Sequence, residues 1–182
     1  ARAELAGTAA LIELARVFGG RTTNRTLSLV STSGGSGGAA GAADLANDLP
    51  EGNREPDAVI VLGDMASAQA SRPWVLPWSD GPQLAPARLR RTVEAALRLE
   101  TGEEPGQPRA LDQLARLAFP FAQTEQGAFN AAGVAAVAIQ ASGERAPEPG
   151  AAVSGERLRG FGRAALRAID ALDNGPALEE RP

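Results

Sequence analysis

The sequence predicts an α/β domain, a three-layer α/β/α sandwich around a mixed, mostly parallel sheet. Two runs, "DAVIVLGDM" at 57–65 and "VAAVAIQA" at 134–141, are almost continuously apolar and rich in β-branched residues, as strands covered on both faces are. Segments with apolar residues at three- and four-residue spacing alternate with them and read as amphipathic helices. The connections are long enough for the crossovers that parallel strands need.

Taken in order, residues 3–18 place Leu5, Ala9 and Ile12 on one helical stripe, widened by Leu11, Leu14 and Phe18, and Gly19-Gly20 is a natural stop. "RTLSLVST" at 25–32 reads as a strand. After a glycine cluster, 38–47 reads as a helix that ends before Pro50. The prolines of 72–86 leave room for a short edge strand and a loop. Leu89, Val93, Ala96 and Leu97 line one face of a helix over 87–100; 101–108 is a loop, and 109–118 a short helix before Pro120. The last helix, 155–173, aligns Leu158, Phe161, Ala165, Ile169 and Leu172 and stops near Asn174-Gly175. One domain over 1–175 with a flexible tail at 176–182 is the expected organisation of the 182 residues.

Composition narrows the chemistry. Hydrophobic residues make up 43% and charged residues 22%, a globular balance. The net charge of -4 gives no basic footprint and argues against nucleic acid as a partner. All 18 basic residues are arginine, and Cys, His and Tyr are absent. That removes thiolate and imidazole metal ligands, Cys and His nucleophile or base chemistry, Schiff bases and a P-loop lysine. No run reaches the roughly 18 apolar residues of a membrane span. The sequence begins at Ala1 rather than at a methionine, which reads as a piece of a longer polypeptide.

"SLVSTSGGSGGAAGAADLA" at 28–46 admits two readings. Gly35-Ser36-Gly37-Gly38-Ala39-Ala40 fits the G-x-G-x-x-A form between a strand and a helix, so the Gly34–Gly38 loop could approach a nucleotide pyrophosphate through its amides. A long helix before the first strand and the high Gly and Ala content weigh against that reading.

The other reading is a resemblance. "AGTAALIELARVF", "RTLSLVSTSGGSGGAAGA", "VIVLGDMAS" and "TEQGAFNAAGVAAVAI" resemble, in order and spacing, four landmarks of the M28 zinc aminopeptidases. Those landmarks are a helix after an Asp-Asn-x-Ser-Gly turn, an Arg-Thr strand leading into a Gly-Glu-Glu-x-Gly loop, a strand ending in Asp-Met, and a Ser-Asp-His-x-x-Phe-x-x-x-Gly-Ile-Pro-Ala segment. The resemblance spans about residues 3–172 and implies a zinc exopeptidase-like fold. In that family two zinc ions are held by two His, two Asp and one Glu, beside a Glu base. Carried over, the bridging Asp falls at Ala3, the base at Gly35 and the ligand Glu at Ser36; only Asp64 keeps a ligand's chemistry. Glu125 and Gln126 match the polar pair of the Ser-Asp-His segment. One carboxylate cannot hold a zinc pair, which needs about three or four protein ligands per ion.

The resemblance therefore implies a degenerate, non-catalytic member with no catalytic, metal-binding or cofactor residues, and a vestigial site at Gly35, Ser36, Asp64, Glu125 and Gln126. It further implies an extracytoplasmic domain of an actinobacterial membrane protein, tethered by segments outside these residues and binding a protein or small-molecule ligand. A residual hydrolase using Ser31, Ser33 or Ser36 would lack an activating His or Lys base. Trp74 and Trp78 are expected under their proline-rich loop, and Arg88, Arg90 and Arg91 on a solvated helix face.

Overall fold

A computed structural model describes residues 5–33, 39–51, 56–68, 71–108, 122, 124–145, 147–148 and 150–178. Along the chain run α1 (Ala6–Phe18), α2 (Ala40–Glu51), β1 (Val59–Leu62), β2 (Trp74–Leu76), α3 (Ala87–Thr101), α4 (Gln126–Ala131), β3 (Ala136–Gln140) and α5 (Gly155–Asp173). The expected helix over 109–118 lies outside the described residues.

The sheet has the order β1-β3-β2. β3 pairs in parallel with β1, Val59 opposite Ala136 and Leu62 opposite Ile139, and antiparallel with β2, Trp74 opposite Gln140. β3 is buried along its whole length, which explains its near-continuous apolar sequence.

Alternation splits the core into two layers. Ile60, Leu62, Val75, Val137 and Ile139 face α1, α3 and α5, where Leu14, Leu89, Val93, Leu97 and Phe161 complete the main cluster. Val59, Val61 and Ala136 face α2 and α4, meeting Ala42, Ala46, Phe129 and Val134. Ala138, Leu76 and Trp78 close the second face beneath the proline-rich loop. Helices thus cover both faces of a mixed sheet, the expected sandwich. Trp78 is buried and Trp74 half-buried; Gly106 packs against the Trp74 indole, where a Cβ would fall 2.0 Å from Nε1.

Four sequence expectations shift. Residues 25–32 join no ladder: Leu27 and Leu29 are half-buried and Thr26, Ser28 and Val30 exposed, the alternation of a strand without its hydrogen bonds. Helix α1 buries Ala6, Gly7, Ala10 and Leu14, while Leu5 and Ile12 are 66% and 52% exposed. Small residues win that face because they let the helix close in on β1. Helix α2 runs past Pro50 to Glu51 instead of ending before it. Of the three arginines in the first two turns of α3, only Arg91 is exposed: Arg88 donates to the Ala177 carbonyl at 2.8 Å, and Arg90 pairs with Glu94 at 3.4 Å.

Helix α5 starts at Ser154, whose hydroxyl accepts from the Arg157 amide at 3.2 Å, and buries Phe161, Ala164, Ala165 and Ala168 against α3. Glu100 of α3 ties the two helices, accepting from Arg167 Nε at 2.6 Å and Arg163 Nε at 2.9 Å. Those hydrogen bonds, Arg167's first, hold the Glu100 carboxyl below its ordinary value of 4.5. A depressed carboxyl stabilises the fold fully above the unfolded value and loses that contribution as pH falls through the folded one. Glu100→Gln is therefore expected to flatten the acid limb of a stability profile below about pH 4.5 and to leave its slope near neutrality unchanged, checked by urea titrations across pH.

Candidate functional site

Parallel strands place their carboxyl ends at one edge, where ligands of open α/β sheets bind. Here β1 and β3 end together, and the loop after β1 carries Asp64, 4% exposed. Its Oδ1 accepts from the N–H of Ala66 at 3.0 Å and of Ser67 at 2.9 Å, a local turn closed by the side chain. Its amide donates to Oε1 of Gln140 at 3.0 Å, and its carbonyl accepts from Ala141 at 2.7 Å. Oδ2 is buried and has no hydrogen-bond partner among the described residues.

Neighbouring elements fix this loop. Gly63 lets the Gln140 amide lie across it, with a hypothetical Cβ only 3.0 Å from that side chain. The first turn of α1 sits on the end of β1, where a Cβ on Gly7 would come within 2.2 Å of the Leu62 carbonyl oxygen. From α5, Arg157 donates to the carbonyls of Ser67 at 3.1 Å, Ser71 at 3.2 Å and Ala141 at 3.1 Å, and to Oε2 of Glu103 at 3.1 Å. The guanidinium lies over the Phe161 ring, 5.5 Å from its centroid. Ser71, Arg72, Glu103, Glu104 and Arg157 line a shallow groove of about 450 Å³ beyond this clamp. Its charges are largely satisfied internally, Glu104 by Arg98 at 2.7 Å and Glu103 by Arg157.

Glu125 and Gln126 serve other partners. Glu125 Oε1 accepts from the Thr32 hydroxyl at 2.9 Å, tying the start of α4 to the entry of the glycine loop. Gln126 is fully buried: Nε2 donates to the Trp78 carbonyl at 3.2 Å, and Oε1 accepts from the Thr124 hydroxyl. One turn on, the Asn130 amide bonds Pro77, Trp78 and both backbone groups of Ala136, at the start of β3. The anchors of Gln126 and Asp64 thus belong to opposite ends of β3, and no hydrogen bond joins Asp64 to Glu125 or Gln126. Gly35, Ser36 and the rest of the Gly34–Gly38 loop lie outside the described residues. The described rim of that loop is closed by Gly41, whose amide donates to the Ser33 carbonyl at 3.1 Å.

Sequence reasoning missed Gln140, Asn130 and Arg157. The first two carried a signal, a lone polar side chain inside an otherwise apolar run; Arg157 is one of 18 arginines and carried none.

No protein-family model matches the sequence, and no curated protein matches it. Solved structures do. An aminopeptidase from Aneurinibacillus sp. strain AM-1 superposes with a TM-score of 0.71 at 21% identity over 100% of this chain and 42% of that one. Legionella LapA gives 0.72 at 14% identity over 93% and 47%. BSAP, a zinc aminopeptidase from Bacillus subtilis, gives 0.69 at 16% over 96% and 43%. The fold is that of the zinc exopeptidases. This chain spans less than half the length of each of these structures.

The zinc exopeptidase fold implies a zinc pair, and the donor set here does not fit one. Asp64 has committed Oδ1 to two backbone amides, and the side chain bonded to its backbone is the neutral amide of Gln140. Among the described residues, no three His, Cys, Asp or Glu side chains converge. Positions 35 and 36 are glycine and serine, and the chain has no histidine. Zinc sites need about three or four protein ligands per ion, so no catalytic step is assigned to a metal here.

Proposed function

We propose that this chain is a non-catalytic peptidase-like domain that works as a binding or assembly module of a larger membrane protein, exposed on the extracytoplasmic face. The observation that carries the reading is the use of Asp64. The one residue with the chemistry of a family ligand holds its own loop together through the amides of Ala66 and Ser67. At the position matching the family's histidine, Gln126 is spent on the Trp78 carbonyl, and the Oδ2 left over at Asp64 is a single donor where an ion takes about three or four protein ligands. Shape is then what the fold offers a partner, a protein or a small molecule. The acidic balance, -4 overall, disfavours nucleic acid in that role. Among the described residues no helix is long and apolar enough to cross a membrane, so the proposed tether lies in polypeptide outside this sequence.

The test is metal and turnover together. After equilibration with zinc and removal of free ion, elemental analysis is expected to find no stoichiometric zinc, and leucine p-nitroanilide is expected to remain uncleaved. Stoichiometric zinc with cleavage of that substrate, both lost in Asp64→Ala, would overturn the proposal.

A further inference from the structure

Asn24 and Arg25 meet the end of α5 in one compact joint. The Asp173 carboxylate accepts the amides of Asn24 at 3.1 Å and Arg25 at 2.7 Å, and Arg25 Nη2 donates to the Gly175 carbonyl at 3.0 Å. Between them Asn174 caps the helix: its Nδ2 donates to the Asp170 carbonyl at 2.8 Å, and its Oδ1 accepts from Asn24 Nδ2 at 3.1 Å. Asn174 is exposed to water and followed by glycine. That pair carries a reaction of its own. With no Cβ to shield it, the Gly175 nitrogen can reach the Asn174 side chain, and among the described residues nothing accepts its N–H.

We infer that Asn174 is a site of spontaneous deamidation held in check by this joint. In the reaction the Gly175 nitrogen bonds to Cγ of Asn174, the Cγ–Nδ2 bond breaks, and ammonia leaves with the proton of the Gly175 amide. Water then opens the succinimide at either carbonyl, leaving aspartate or isoaspartate at 174. Closing the ring needs Cβ and the Gly175 nitrogen nearly eclipsed about the Cα–C bond. At the observed ψ of -7° the residue's own nitrogen holds that position, so the backbone must turn first. The side chain must also leave the Asp170 carbonyl and Asn24, so the reaction runs only from the opened joint. It is one-way. A carboxylate at 174 cannot donate to the Asp170 carbonyl, and it sets a further negative charge beside Asp173 at the negative end of the helix. Isoaspartate also adds a carbon to the backbone, which shifts the Gly175 carbonyl away from Arg25.

Peptide mapping by mass spectrometry with isoaspartate detection, after incubation at neutral pH, tests this. The folded chain is expected to convert residue 174 at least about tenfold more slowly than the chain unfolded in guanidinium chloride, because two hydrogen bonds must open first. Asn24→Ala removes the donor to Oδ1 but keeps the backbone amide at 24 on Asp173, and should speed conversion in the folded chain about fivefold. Asn174→Gln should stay unconverted over the same period, since its extra methylene enlarges the ring. In the converted fraction the amides of residues 24 and 25 should exchange faster than in the unconverted one. An unfolded chain that is not converted at 174, equal rates folded and unfolded, an Asn24→Ala rate no higher than wild type, or unchanged exchange at 24 and 25 would overturn the inference. The wild-type comparison decides it even if a variant fails to fold.

Discussion

Arg157→Ala is expected to cost about 3–4 kcal/mol, because hydrogen bonds to a charged group contribute roughly 1.5–3 kcal/mol each and several share this one planar fork, so they do not add fully. The guanidinium collects three carbonyls from different places: Ser67 and Ser71 in the loop after β1, and Ala141 at the end of β3. Without it these acceptors lose their common donor, and Phe161 loses the cation over its ring. The Glu103 partner contributes little, since its side chain is 40% exposed and water screens the pair. Glu103→Gln should therefore cost under about 1 kcal/mol, which separates a carbonyl clamp from a salt bridge. Arg157→Lys should recover only part of the loss, as an ammonium cannot present a fork to three acceptors. Urea denaturation measures all three variants, and hydrogen exchange at 66–68 should accelerate in Arg157→Ala. A loss below about 1 kcal/mol would show that the loop is held by Asp64 alone.

How much of this was legible follows from what sets each feature. The strand cores at 59–62 and 136–140 and the helix over 155–173 were readable because burial on both faces, or on one stripe, writes itself into apolar spacing. The α1 face was misread because its contact is made by small residues, Ala6, Gly7 and Ala10, whose selection is for closeness rather than hydrophobicity. Residues 25–32 carry a strand's composition, but hydrogen bonds depend on a neighbouring edge that local sequence does not encode. At the site, Asp64 was found through its motif, whereas its use of the Ala66 and Ser67 amides depends on the turn it makes. That Gln126 bonds the Trp78 carbonyl while Asp64 bonds Gln140 depends on which end of β3 each element meets, a property of register.

Gly7→Ala sets two known effects against each other. Alanine is the better helix former by about 1 kcal/mol, so propensity alone predicts a gain. The added Cβ, however, would lie 2.2 Å from the Leu62 carbonyl oxygen and 3.0 Å from that of Gly63. Those atoms belong to the end of β1 and its loop, and unlike a side-chain tip they cannot swing aside. Overpacking typically costs about 1–3 kcal/mol, and a rigid backbone obstacle puts this site at the upper end, for a net loss of about 2 kcal/mol after the propensity gain. Gly162→Ala in α5 is the control: its Cβ would meet nothing within 4 Å, so the same exchange should stabilise by about 0.5–1 kcal/mol. Thermal and urea unfolding of both variants read the opposite signs. In the resemblance Ala3 through Gly7 stand where Asp-Asn-x-Ser-Gly is expected, and only the glycine matches. Metal binding and helix seating place separate demands on that turn, and a loss of stability in Gly7→Ala would show that seating persists where the ligand is gone. If Gly7→Ala instead stabilised the fold as Gly162→Ala does, α1 would not rest on β1, and the geometry assigned to the Asp64 loop would fail with it.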